Sequence, residues 1–367
     1  MRPWIRVFTA VAAIGVAGGG CRTIPYNPNP DCDACEKYLG APQPACDVPL
    51  PEPAPPTGAA YENLVFEGGG VKGAAYGGAL QVLDRNGLLK GVKRVAGTSA
   101  GSIVAMLVAL GYTPDEVLEV VSDLDFNQFR DGRALEDISR LRSQFGWYKG
   151  DFALCLFECL VEKKTGSRST TLAQLEELRR AQPAKGFREL RVFGTNVDTH
   201  MWVEFSARNP RTRDVAVAQA VRISMSIPYF FAARRFDGDT YVDGGALINY
   251  PIRAFDDGPP NPATLGLHLG SSPPIDTITG LLSFTGQMFH TLMDTQIDIL
   301  CATPSDVRRS VFIDPLGIGA TDFGITREQK CALVRSGIQA TDAYLRAARH
   351  DETCPVFLTK LRPPARK

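Results

Sequence analysis

The chain has 367 residues, 44% of them hydrophobic, enough to bury one large core or two smaller ones. Forty basic residues balance forty acidic ones, so the bulk charge carries no footprint for nucleic acid or for an electrostatically held membrane surface. Mean hydropathy is −0.08 and no apolar run reaches roughly 18 residues, which excludes an ordinary transmembrane helix.

Residues 1–20 are expected to form a signal peptide. Arg2 and Arg6 supply a positive start, and VFTAVAAIGVA (7–17) is an apolar run of signal-peptide rather than membrane-span length. Gly19, Gly20 and Cys21 then resemble the end of a bacterial lipoprotein signal, although Gly18 stands where a Leu-like residue is usual. Export is therefore expected, with Cys21 lipidated on a membrane-anchored lipoprotein of the cell envelope, or with ordinary cleavage and secretion as the alternative.

Residues 21–60 are rich in proline, with PLPEPAPP at 49–56. They read as an extended, poorly ordered stalk that holds a soluble domain off a membrane. Cys32 and Cys35 lack the βαβ context of a redox motif and a second CxxC for zinc, so a local disulfide in an oxidising compartment is expected. Cys155, Cys159, Cys301, Cys331 and Cys354 are expected as buried small hydrophobes or further disulfides.

From residue 61 to about 362, apolar strand-like runs alternate with helical periodicity. This predicts an α/β domain with a mainly parallel central sheet. Strands are expected at 63–67, 92–97, 189–197, 201–206, 265–270 and 309–315. Residues 113–185 read as a helical insertion, a cap over a site, with TLAQLEELRRA (171–181) its clearest helix. Within it, FGWYKGDFALCLFECL (145–160) is either the lining of an acyl channel or an amphipathic cap or core helix. Thr326 and Gln329 form a capping box that opens a long helix reaching about Arg349.

Two motifs follow strands. In FEGGGVKGAAYGGAL (66–80), three glycines, Gly68, Gly69 and Gly70, precede Lys72 and Gly73. Gly97-Thr98-Ser99-Ala100-Gly101 follows the second strand and opens the apolar helix SIVAMLVAL. The latter is G-x-S-x-G in strand–turn–helix context, a nucleophile elbow: flanking glycines permit the sharp turn that exposes the Ser99 hydroxyl at a helix N-terminus. The glycine loop formally matches a dinucleotide fingerprint, but the second strand runs into the serine elbow with no acidic residue at its end. The Walker pattern fails because no Ser or Thr follows Lys72. The loop is expected instead to be half of an oxyanion hole formed by Gly68, Gly69, Gly70 and Ala100, in which backbone N–H groups, those of Gly69, Gly70 and Ala100 foremost, hold charge present only in a transition state. Lys72 is expected to orient that loop.

A serine nucleophile needs a base. Of four histidines, His268 is the only candidate, at a strand end. Asp243 in YVDGGALINYPI (241–252) is the stronger choice, since Gly244 and Gly245 let the backbone turn beside another loop. FEGGGVKG, GTSAG, RISMSIPYFF (222–231) and DGG followed by Asn249 and Pro251, in that order, resemble the patatin-like phospholipase family over roughly residues 61–350. The resemblance implies a three-layer α/β fold and hydrolysis of lipid acyl esters by a Ser–Asp dyad, here Ser99 and Asp243, with a glycine-rich oxyanion loop and no metal. It implies phospholipid or another acyl-ester lipid as substrate, a membrane surface as partner, no nucleic acid, and no cofactor. The competing expectations are a catalytically idle surface lipoprotein that binds lipid or a protein partner, and a nucleotide-binding oxidoreductase.

Overall fold

Strands β1 (Asn63–Phe66), β2 (Arg94–Thr98), β4 (Glu189–Asn196) and β9 (Thr264–His268) are buried almost from end to end. Strands buried on both faces in this way belong in a parallel sheet covered on both sides. The computed structural model, which describes residues 32, 35–39, 46–55, 58, 60–132, 140–270, 278–347, 350 and 352–355, places them there. The remaining strands are β3 (Gly146–Tyr148), β5 (Met201–Ser206), β6 (Tyr229–Phe231), β7 (Arg234–Phe236), β8 (Asp239–Asp243) and β10 (Ser310–Phe312). The main sheet runs β10-β9-β1-β2-β4-β8-β7, with β5 also paired to β4. Pairing is parallel from β10 to β4 and antiparallel for β5, β7 and β8. A mainly parallel α/β sheet is what the alternation of apolar runs predicts.

Period-two alternation divides the core. Leu64, Phe66, Val95 and Val192 point into the main core, while Val65, Ala96 and Phe193 point to a smaller cluster with Ile252 and Phe255 on the opposite face. Helices α2 (Ala75–Arg85), α3 (Ala100–Ala109), α4 (Pro114–Asp123), α5 (Asp151–Thr165), α6 (Leu172–Ala181), α7 (Val217–Ser224), α8 (Leu281–Cys301), α9 (Pro304–Arg308) and α10 (Arg327–Arg346) follow a short N-terminal α1 (Glu36–Leu39). Thr171 with Gln174 and Thr326 with Gln329 form reciprocal capping boxes on α6 and α10, the second as expected.

The insertion is not wholly helical. Gly146–Tyr148 forms a strand that pairs with β6 in a separate two-stranded sheet. Residues Ala153–Val161 of α5 are buried in the main core. This corrects the acyl-channel alternative: the apolar surface of α5 is consumed by packing.

The cysteines also differ from expectation. Cys32 pairs with Cys155 and Cys35 with Cys159, not with each other. Cys155 and Cys159 lie one helical turn apart on the same face of α5 and so present two adjacent thiols to the N-terminal segment. Cys46 pairs with Cys331 on α10, and Cys301 at the end of α8 with Cys354. The described part of the expected stalk is thereby a strap: Tyr38 and Cys46 are buried, Tyr38 meets Phe152 with ring centroids 5.4 Å apart, and Ala54 N–H donates to Asn86 Oδ1 at 2.8 Å. Because Cys46–Cys331 spans a sequence separation of 285 residues, replacing both by serine should lower stability by about 2–4 kcal/mol. Urea denaturation of the variant beside the parent checks this; an unchanged midpoint would overturn it.

Candidate active site

The register around β4 brings the two predicted residues together. β2 pairs with β4 as far as Thr98↔Phe193, and β8 pairs antiparallel from Asp243↔Gly194. β5 occupies Arg191–Asn196 on the other edge of β4, so β2 and β8 share one edge and their C-terminal ends meet head to head between Phe193 and Gly194. Ser99 follows the last residue of β2, and Asp243 is the last of β8. Ser99 Oγ donates to Asp243 Oδ2 at 2.7 Å.

Ser99 has φ 51° and ψ −126°, outside the wells open to most side chains. Its neighbours hold it there. Ser99 N–H donates to Ser224 Oγ at 2.9 Å, Ser224 Oγ donates onward to Phe193 O at 2.5 Å, and Ser102 Oγ donates to Ser99 O at 2.6 Å. The turn also requires close backbone approach: a Cβ on Gly97 would meet Gly101 O at 2.3 Å, and one on Gly101 would meet Phe66 O at 2.4 Å. The two flanking glycines of the motif are therefore demanded by packing.

Asp243 is fully buried. Its Oδ1 accepts from Gly245 N–H at 2.7 Å, and its own N–H donates to Ser226 O at 2.8 Å. Burial pushes its carboxyl from 3.8 up to about 7, against the opposing pull of the Ser99 and Gly245 hydrogen bonds. Gly244 lies against Phe193 O and Thr98, at the junction of the two strand ends.

The glycine loop stands beside this pair. A Cβ on Gly68 would lie 3.0 Å from Ser99 Cβ, and one on Gly73 would lie 3.2 Å from Ala100 Cβ. No described acceptor takes the N–H of Gly69, Gly70 or Ala100. Gly68 differs: its N–H donates to Asn249 O at 2.9 Å, and its C=O accepts from Asn249 Nδ2 at 3.2 Å. This corrects the inclusion of Gly68 among the oxyanion residues; it anchors the loop instead. Gly70 has φ 56° and lies against Ala320 O, leaving no room for a side chain. Lys72 Nζ is buried and donates to Gly270 O at 2.7 Å, a loop-orienting contact.

Behind the loop lies a buried polar cluster that sequence reasoning missed. Glu67 Oε1 accepts from Asn249 Nδ2 at 3.0 Å and Oε2 from Leu269 N–H at 2.6 Å. Burial pushes the Glu67 carboxyl up to about 8, with Lys72 opposing, and the same burial lowers Lys72. His268, the alternative base, belongs to this cluster. Its Nδ1 accepts from Gly270 N–H at 3.0 Å, and its Nε2 lies 3.3 Å from Glu67 Oε1 without hydrogen-bond alignment. Burial holds it at about 3, neutral, and none of its contacts is with Ser99.

Two further residues, Arg222 and Ser224, take roles that their tertiary contacts define. Arg222, fully buried, donates to Gly150 O at 2.8 Å, Lys149 O at 2.6 Å, Ala232 O at 3.3 Å and Ser226 Oγ at 2.6 Å. Burial, reinforced by Arg234, pushes it down to about 9. It fixes Ser226, whose carbonyl holds the Asp243 backbone. Ser224 holds the elbow. Both lie in RISMSIPYFF, and the spacing Arg-x-Ser-x-Ser was the available signal.

The sequence model for the family described as "Patatin-like phospholipase" matches residues 64–256, just over half of the chain. The chain belongs to the patatin-like phospholipase family. It is 31% identical over 309 residues to the uncharacterized protein YqhO of Bacillus subtilis (strain 168), covering 78% of this chain and 98% of that one. It is 27% identical over 200 residues to the probable lipid hydrolase 463L of Invertebrate iridescent virus 6, covering 52% of this chain and 62% of that one. Among solved structures, VipD from Legionella pneumophila superposes with a TM-score of 0.55 at 18% identity, over 78% of this chain and 66% of that one; that likeness concerns the fold.

In this patatin-like protein, a polar cavity of about 770 Å³ bounded by Arg140, Lys149, Asp151, Arg234 and Arg235 includes neither Ser99 nor Asp243. A smaller groove of about 330 Å³ is also not lined by Ser99 or Asp243, but it reaches Glu67 and Asn249, which adjoin the glycine loop. Ser99 itself is only 6% exposed. Replacing Ser224 by alanine removes the acceptor that holds the Ser99 N–H and should lower kcat about tenfold with little change in KM, since a lost hydrogen bond of about 1–1.5 kcal/mol acts on the elbow. Steady-state kinetics check it; a rise in KM at constant kcat would refute it.

Proposed function

We propose that the protein is a lipid acyl hydrolase in which Ser99 is the nucleophile and Asp243 the base. The observation that carries this reading is the 2.7 Å hydrogen bond from Ser99 Oγ to Asp243 Oδ2 at a strained strand–helix turn. Ionised Asp243 accepts the proton of Ser99 Oγ as the oxygen attacks the ester carbonyl. The carbonyl oxygen becomes negative and is held by the N–H groups of Gly69, Gly70 and Ala100. Collapse of this intermediate returns the proton from Asp243 to the leaving alcohol and leaves an acyl-serine. Water then gives its proton to Asp243, attacks the acyl-serine and frees the fatty acid, and Ser99 regains its proton. No imidazole intervenes, in keeping with the place of His268 in the Glu67 cluster.

The family and the viral lipid hydrolase relative support a lipid ester as substrate. The test uses a fluorophosphonate probe and mixed phospholipid vesicles. A single adduct on Ser99, absent from Ser99→Ala, together with fatty acid release, is expected. An adduct on another residue, or vesicle hydrolysis that survives Ser99→Ala, would overturn the assignment. Labelling of Ser99 without hydrolysis of any lipid or p-nitrophenyl ester would favour the idle-scaffold alternative.

We further propose that the protein is exported. Four disulfides within the described residues favour an oxidising compartment. They use eight of the nine cysteines, and the ninth, Cys21, is the residue expected to carry lipid. Mass spectrometry of the mature N-terminus should find diacylglyceryl-modified Cys21. An unmodified terminus at another residue would refute lipidation.

A further inference from the structure

Helix α8 is apolar on two sides. Its inner side places Phe289, Met293, Ile297 and Leu300 against the body of the protein. Its outer side exposes Phe284, Met288, Leu292 and Ile299, each about half accessible at 48–62%. These four recur at helical spacing along one stripe roughly 22 Å long at 1.5 Å rise per residue. A surface helix of a globular domain ordinarily turns a polar face outward, and four large apolar side chains aligned in this way mark a docking surface. The helix is not of the kind that crosses a membrane, so such a face lies against a surface.

Its position specifies what that surface is. Gln296 on α8 donates from Nε2 to Gly245 O at 2.9 Å, and its Oε1 accepts from Asn249 N–H at 2.7 Å. The helix is thus bonded directly to the loop that carries Asp243. The groove of about 330 Å³ that reaches Glu67 and Asn249 opens between α8 and residues 247–254, with Ile299, Leu247 and Trp202 among its lining residues; Leu247 and Trp202 are 44% and 47% exposed. An acyl chain leaving a lipid surface against the outer stripe would meet this groove next. The charge pattern narrows the choice further. Residues 278–301 contain no Lys or Arg and carry only the acids Asp294 and Asp298. Arg253, the cation that lines the groove, is held by Asp306 at 2.7 Å. A face of this composition offers nothing to anionic headgroups, in contrast to the Lys/Arg-rich faces of helices that bind acidic membranes.

We propose that the outer face of α8 docks on an electrically neutral lipid surface, zwitterionic or uncharged, and delivers acyl chains to the groove beside Asn249. This rests on the reading of the protein as a lipid hydrolase for its occupant, but not for its test. The full chain carrying Ser99→Ala and Met288→Trp is mixed with phosphatidylcholine vesicles that contain a bilayer quencher. Expected are a blue shift and quenching of the added Trp fluorescence, above the background of the native tryptophans, unchanged by about 0.5 M salt, at which electrostatic attraction is screened. Neither effect should require phosphatidylserine. In the catalytically intact chain, Phe284→Ser, Met288→Ser and Leu292→Ser together should lower hydrolysis of vesicle phosphatidylcholine by at least about a hundredfold, the order expected when the exposed halves of three large apolar side chains are no longer buried, while hydrolysis of a soluble p-nitrophenyl ester stays within about twofold.

Absence of quenching by phosphatidylcholine vesicles overturns the proposal, as does quenching that appears only with anionic lipid. So does a parent dimer that the triple substitution dissociates, since a second copy then covers the face. If the triple variant loses both activities it has misfolded, and the single Trp variant, altered at an exposed position, decides alone. Quenching by a chain that hydrolyses no ester would leave docking in place and remove the catalytic reading instead.

Discussion

Replacing Asp243 by asparagine is expected to abolish hydrolysis and, at the same time, to raise stability at pH 8. Asparagine can neither accept the Ser99 proton nor ionise. Loss of a positioned general base costs about 10²–10⁴ in rate, and Ser99→Ala should cost at least as much because no acyl-enzyme forms. The stability gain follows from the burial of Asp243. Its folded-state pKa of about 7 lies above the unfolded value of 3.8. The protonated carboxyl is therefore favoured by folding, and its contribution is present in full below about pH 4 and lost as pH rises through about 7. Keeping the carboxylate buried at pH 8 then costs on the order of 4 kcal/mol at most, and asparagine removes that cost while still accepting from Gly245 N–H. With Asp243 as the proposed base, the parent itself should lose activity below about pH 7 as that carboxylate becomes protonated. Denaturation midpoints at pH 5 and pH 8, with a pH profile of kcat/KM, test both halves. A variant less stable than the parent at pH 8, or a profile flat from pH 5 to 8, would show that Asp243 is not the base described.

The second large effect is expected at Arg222, which touches neither dyad residue. Arg222→Met returns the desolvation cost of the guanidinium but removes its bonds to Gly150 O, Lys149 O, Ala232 O and Ser226 Oγ, although Gly150 O keeps the Leu154 N–H and Ser226 Oγ still donates to the backbone carbonyl of residue 222. Each buried bond to a charged donor is worth roughly 1.5–3 kcal/mol, so after the returned desolvation a net loss of about 2–4 kcal/mol is expected. Because Ser226 O holds Asp243 N–H, the surviving folded fraction should also turn over more slowly. Arg222→Lys retains the charge without the planar fork that reaches several acceptors at once, and should recover only part of the loss. Urea denaturation of the three proteins measures it. Equal midpoints for parent and methionine variant would mean that water or neighbouring groups replace the guanidinium without loss.

Much of this protein was legible along the chain because its signals are local. The buried strands β1, β2, β4 and β9 each carry a short apolar stretch, and the α10 capping box is a four-residue pattern. The elbow is written in five residues, since Gly97 and Gly101 are dictated by backbone crowding within one turn. The order of the motifs singles out Asp243, and the preceding strand the glycine loop, and the structure sets both beside Ser99. The edge strands β3, β6 and β7, three residues each, carry too few positions for a period to show.

What the tertiary structure alone decided is which residues share a partner. Only the register of β4 shows that Thr98 and Asp243 end on one edge, and only the folded loop shows Gly68 bonded to Asn249 rather than open to substrate. His268 could not be separated from a catalytic base by sequence, because its neighbour Glu67 is 201 positions away and meets it only across paired strands. The disulfides were equally closed to inspection: cysteine connectivity depends on where chains cross, and Cys32 and Cys35 found thiols on a helix more than a hundred residues on. Local chemistry is encoded in neighbouring residues; its supports come from distant ones, and their identities depend on distances that folding creates.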